Sequence, residues 1–182
     1  AWFNTEGDGS PRNEWVHWGR PEVGHLTFDA YPDVRDYSVE DLKETYFAEL
    51  GNGEKSKLFS SYRAGVIDKH FEMMHDYGID GVVQRFGSVT INGVEERFKN
   101  SVDILKNVKA SAEKHNELFY VMYDISGLSE ENLVEDLKAD WQQVILNDLD
   151  ITSSPSYAKD NGRPVVCLWG LGIREGTGEQ YS

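Results

Sequence analysis

The chain has 182 residues, a formal net charge of −14, 12% aromatic residues and a single cysteine, Cys167. That length supports one domain with a real core and is short for two. The acidic charge argues against nucleic acid or an anionic membrane surface as partner, the lone cysteine excludes an internal disulfide framework, and no run is long or apolar enough to span a bilayer.

The first residues, Ala1-Trp2-Phe3, show neither an initiator Met nor a signal-peptide pattern, so the chain reads as processed or as a fragment. A strand is expected to end at Trp2. From Asn4 to Asp36 no hydrophobic period holds, and Gly, Pro, Asp and Trp are interleaved. Trp15, Trp18, Phe28 and Tyr31 would anchor this stretch as a long structured loop, and loops of that length in compact domains are usually functional. Ser38 followed by Glu40 and Asp41 predicts a helix start, with Gly51-Asn52-Gly53 as its stop. Val66, Ile67, Phe71, Met74 and Tyr77 then recur at helical spacing and predict an amphipathic helix over 63–77 capped by Gly78.

An apolar run follows, Gly81-Val82-Val83, and ends in Gln84-Arg85-Phe86. Phe98, Val102, Leu105, Val108 and Ala112 predict a second helix, which leads into the strand Leu118-Phe119-Tyr120-Val121-Met122-Tyr123-Asp124. After a Ser126-Gly127 turn, Leu133, Leu137, Trp141 and Ile145 predict a third helix, with Ser129 as a candidate cap. Pro155, Tyr157 and Ala158 predict a short helical piece ended by Asn161-Gly162, and the run from Pro164 to Trp169 closes with Gly170 as a third strand. Strands separated by helices are βα units and imply a parallel sheet. The reading is a single α/β domain over 1–182, with an aromatic-rich loop region at 4–36.

Polar groups just past the C-terminal ends of such strands sit where α/β folds place ligand chemistry. Gln84 and Arg85 would hydrogen-bond sugar hydroxyls, Asp124 would accept two adjacent ones, and Trp2 and Trp169 would offer stacking faces. Two structural alternatives stay open: Arg85 and Asp124 as an ion pair, and Trp169 as core. Glycosidic hydrolysis needs two carboxylates, one to protonate the leaving oxygen and one at the opposite face. Most acids here lie on helical faces near Lys, and only Asp29, Asp33 and Asp124 fall near a pocket. No acid pair stands out.

Other patterns carry less. Gly170-Leu171-Gly172 with Gly176 imitates a dinucleotide loop, but its last glycine is one residue late. Asn4, Glu6, Asp8 and Gly9 imitate a calcium loop that would need Glu where Trp15 stands. His70 and His75 are five apart, the wrong spacing for a shared zinc-binding face. No cofactor and no metal is expected.

Several of these segments together resemble the glycoside hydrolase family 71/99-like proteins. They are Trp2-Phe3 with Trp15-Val16-His17-Trp18, Gly78-Ile79-Asp80-Gly81-Val82 running into Gln84-Arg85-Phe86, Met122-Tyr123-Asp124-Ile125-Ser126-Gly127, and Arg163-Pro164-Val165-Val166 with Trp169-Gly170. The group is similar to the bacterial endo-α-mannosidases of family 99, and some members are described as xylosidase or arabinosidase. The resemblance implies a (β/α)8 barrel, of which this chain would be the N-terminal half, binding an α-linked, mannoside-type glycan at Trp2, Gln84, Arg85, Asp124 and Trp169. It also implies a secreted or periplasmic setting. The family's catalytic glutamates belong to the C-terminal half, so no residue here inherits that role. The alternatives are a non-catalytic carbohydrate-binding protein and a half-barrel that pairs with itself. In either half-barrel case the open sheet edges need covering, by the missing half or by a second copy.

Overall fold

The computed structural model describes residues 3–20, 25–49, 51–87, 95–125 and 131–171. In chain order these form β1 (Gly19–Arg20), β2 (His25–Leu26), β3 (Leu42–Glu49), β4 (Lys55–Phe59), α1 (Ala64–Asp76), β5 (Gly81–Gly87), α2 (Glu95–His115), β6 (Leu118–Asp124), α3 (Leu133–Asp140), β7 (Lys159–Asp160), β8 (Arg163–Pro164) and β9 (Val166–Trp169). The centre is a parallel sheet in the order β5-β6-β9, so the three strands are neighbours in chain order. The fold is therefore mixed α/β around a three-stranded parallel sheet. The expected strand end at Trp2 lies outside the described residues.

The pattern of each helix explains its packing. α1 buries Val66, Ile67 and Phe71. It ends where Gly78 takes φ +67, with Gly78 N–H donating to His75 C=O at 3.3 Å and Ile79 N–H to Met74 C=O at 2.9 Å. Those two bonds make a Schellman ending, which needs a residue tolerant of the left-handed region. α2 buries Ile104, Leu105, Val108 and Ala112. α3 continues as a π-helix over Trp141–Asp148. Its apolar residues, Leu133, Leu137, Trp141 and Ile145, recur every four positions. That spacing overruns a 3.6-residue turn, and the wider π winding brings the stripe back toward the core.

Strand alternation divides the sheet into two faces. Val82, Gln84, Phe119, Val121 and Tyr123 share the face beneath the helices, where Phe119 and Val121 are fully buried. Val83, Leu118, Tyr120, Met122, Asp124, Cys167 and Trp169 share the other, which is only partly covered. At Gly81 the strands approach so closely that a Cβ would stand 2.0 Å from the Leu118 carbonyl oxygen.

Two expectations are corrected. Ser38 opens only a single 3-10 turn at Val39–Asp41, and the expected helix is strand β3, paired antiparallel with β4. The register sets Glu44 opposite Lys57 and Glu49 opposite Lys55, and Thr45 and Ser56 join their hydroxyls in the interior. Gly51-Asn52-Gly53 is thus a hairpin turn and not a helix stop, a role open to any such glycine pair between two strand-competent runs. The helical piece expected around Pro155–Ala158 is also absent. Tyr157 bridges Phe119 in parallel, and the chain then leaves the sheet in the β7–β8 hairpin before rejoining as β9. Asn161 (φ +47) and Gly162 (φ +78) form its turn, the double positive φ that Asn-Gly hairpins require.

The aromatic loop builds a second core. Trp18, 4% exposed, packs with Leu58, Phe59 and Val66, and Phe3, Trp15, Phe28, Tyr31 and Tyr37 close around them. These rings anchor the loop, as expected, and they do so on β4 and α1. Beneath them Asp8 is a buried knot. Its carboxylate accepts from Asn4 (3.1 Å), Thr5 N–H (3.2 Å), Ser10 N–H (2.7 Å) and Ser60 (2.5 Å), and Asn4 in turn reaches Asn100 of α2 at 3.0 Å.

Candidate functional site

In a parallel sheet every strand ends at the same edge, so residues distant in sequence meet there. Gly87, Asp124 and Trp169 are register partners across β5, β6 and β9. Asp124 and Trp169 therefore stand side by side on the less covered face. Asp124 is half-buried, and Trp169 is 54% exposed. Trp169 is not core.

The other predicted residues are placed differently. Gln84 pairs with Val121, three rungs below Asp124, and is buried on the face beneath the helices. Arg85 pairs with Met122 through its backbone, and its side chain lies outside the description. Trp2 also lies outside the described residues. Among the described side chains the edge brings together Asp124 and Trp169.

Of the acids expected near a pocket, Asp33 is an exposed partner of Arg35, with contacts at 2.9, 3.0 and 2.5 Å. The guanidinium hydrogen bonds hold its carboxyl down at about 2. A group so firmly ionised is unsuited to donate a proton. Asp29 is exposed in the same loop. The two histidines of α1 also have separate partners: His70 meets the Tyr37 hydroxyl at 2.8 Å, and His75 meets Glu117 at 3.0 Å. Among the described residues no group of three or more His, Cys, Asp or Glu could hold a metal ion. No described helix is long and apolar enough to cross a membrane.

Among the described residues, three concavities stand out. A polar cleft of about 550 Å³ lies at the start of α1, and there Tyr62 is tied to Asp103 and Arg63 to Asp41. An apolar groove of about 600 Å³ runs between α3 with its π-helical extension and β9, lined by Leu137, Trp141, Val166 and Leu168. At its floor the Tyr123 hydroxyl donates to buried Asp140 at 2.6 Å. Burial, then the bond to Asp140, raises the Tyr123 phenol far above its ordinary range. No local pattern announces this pair, although a strand tyrosine on a buried face requires a partner for its hydroxyl. A smaller cavity, about 150 Å³, lies between α1, α2 and β5.

No protein-family model matches the chain, and no curated protein matches it either.

Proposed function

We propose that this chain binds an α-linked, mannoside-type glycan at the C-terminal edge of its parallel sheet, as part of a glycoside hydrolase-like (β/α) barrel. The observation that carries the reading is the register pairing of Asp124 with the exposed Trp169. A carboxylate that accepts from adjacent hydroxyls beside an indole that stacks on a sugar C–H face is the chemistry a neutral glycan needs. The −14 net charge is compatible with an uncharged ligand. The resemblance through Gln84-Arg85-Phe86 and Met122 to Gly127 supports the same edge, a barrel half and a secreted or periplasmic setting. Gln84, Arg85 and Trp2 complete the proposed binding set. The sheet edges would be covered by a C-terminal half or by a second copy.

Binding without hydrolysis is the second reading. The Asp33–Arg35 pair favours it, because it occupies one of the three acids expected near a pocket. Calorimetric titration of α-linked mannobiose, with an assay for released mannose, tests both. The expected result is saturable binding that Trp169→Ala abolishes and that Asp124→Ala weakens about tenfold, the worth of one good hydrogen bond. Binding unaffected by either substitution would remove this edge as the site. Release of mannose by the chain would decide against the second reading.

A further inference from the structure

His70 of α1 stands at the junction of three elements. Its ring is partly buried edge-on against Phe59 of β4 at 5.3 Å and Tyr37 of the aromatic loop at 5.8 Å. Nε2 meets the Tyr37 hydroxyl at 2.8 Å, and the ring also lines the cavity of about 150 Å³ in front of β5. The loop that Tyr37 belongs to, Phe28–Ser38, has no regular secondary structure. Among the described residues it rests on the second core through Phe28 on Trp18 at 5.4 Å, Tyr31 on Thr45 at 3.4 Å, and Tyr37 on Phe59 at 5.0 Å and on His70. A segment without regular secondary structure, resting on a core through partly buried side chains, opens at lower free energy than that core.

We propose that His70 is an acid-sensitive latch that holds the Phe28–Ser38 loop on α1 and β4 at neutral pH and releases it on acidification, while the parallel sheet stays folded. The chemistry is that of one hydrogen bond. A neutral imidazole accepts the Tyr37 O–H at Nε2; an imidazolium has no lone pair there and can only donate. Protonation therefore orphans the phenol hydrogen and places a charge against Phe59.

The groups around the ring give that charge little compensation. Asp36 acts on Tyr37 and also on Lys69, and Lys69 is bound to Glu72 at 2.7 Å. Asp68 is taken by Lys114 and His115 at 2.6 and 2.9 Å. Across the cavity Ser61 and Gln84 are neutral, and α2 contributes Ile104 and Val108. Burial accordingly holds the imidazole below its ordinary value of 6.5. The open loop thus binds more protons than the closed one. Closure is fully favoured above about 6.5 and is lost as pH falls toward the lower closed-state value, with no further loss below that value. The latch does not depend on what the strand ends bind.

Hydrogen exchange at about pH 7.5 and about pH 5, corrected for intrinsic rates, reads the latch directly. Protection of the Tyr37 amide, which donates to the Val34 carbonyl at 3.2 Å within the loop, is expected to fall by up to about tenfold for each pH unit crossed in that window. Protection of Leu118–Asp124 is expected to hold. His70→Gln retains an acceptor for Tyr37 and cannot titrate, so its loop should stay protected at both pH values. In the unmutated chain, the ring signals of His70 and Tyr37 should shift together in an NMR titration. Equal protection at both pH values, the same loss in His70→Gln, concerted loss across Leu118–Asp124, or separate titration of the two rings would each overturn the proposal.

Discussion

The two described loop tryptophans show how one atom decides a side chain's worth. Trp18 Nε1–H donates to the Phe59 carbonyl at 2.9 Å, joining the aromatic loop to β4 through a buried bond. Trp15 Nε1 is buried with no acceptor among the described residues. An unpaired buried N–H costs roughly 1–3 kcal/mol, whereas removing both the polar atom and its need is close to neutral. Trp18→Phe is therefore expected to destabilise by about 1–3 kcal/mol, since it orphans the Phe59 carbonyl and loses ring area. Trp15→Phe should be neutral or stabilising, by up to about 1 kcal/mol. Denaturant unfolding of the two variants separates them; equal losses would mean that the Trp15 indole is satisfied in solution.

Between elements, the key join is where the sheet loses its third strand and regains it. The chain pairs with Phe119 through Ser156 and Ala158, leaves as the β7–β8 hairpin, and returns at Val166 opposite Val121. The Tyr157 hydroxyl spans the gap, accepting from Val121 N–H at 3.2 Å and donating to Val165 C=O at 2.7 Å. It stands in for the missing rung of the ladder, and burial raises its phenol above the ordinary range. Tyr157→Phe keeps the ring that packs edge-on against Phe119 at 5.3 Å but leaves both backbone groups unpaired. The expected cost is about 2–4 kcal/mol. Exchange of the Val121 amide should quicken most. A change below about 0.5 kcal/mol would show that water fills the rung.

At the scale of the whole molecule, surface and charge oppose each other. Val166, Leu168, Trp169 and Leu171 are exposed on and just past β9, and the apolar groove lies alongside. A strand apolar on both faces has the composition of a central strand of a parallel sheet, yet among the described residues it pairs only with β6. Association of copies through this face is opposed by the net charge of −14. Salt removes that opposition, because raising it from about 0.1 M to about 1 M shortens the screening length from about 10 Å to about 3 Å. Sedimentation should therefore show association that grows with salt and that Leu168→Lys suppresses. A monomer at every salt concentration, or association indifferent to Leu168→Lys, would exclude this face as the contact.

Local pattern alone determined the three helices, the three parallel strands and the Gly78 ending, because each rests on neighbours within one or two turns. It also determined that Asp124 and Trp169 close their strands. The hairpin of β3 with β4 was not legible from Leu42–Glu49, whose residues suit either a helix or a strand until Lys55–Phe59 supplies the partner; β structure is settled by pairing across the chain. The same reason hid the Tyr157 bridge, whose meaning lies in backbone groups of two other segments. Gln84 and Arg85 are adjacent in sequence, but only the register put Gln84 under the helices and away from Asp124. His70 with Tyr37 and Tyr123 with Asp140 are 33 and 17 residues apart. No spacing rule joins such residues, and only packing sets an imidazole against a phenol or a carboxylate beneath a tyrosine.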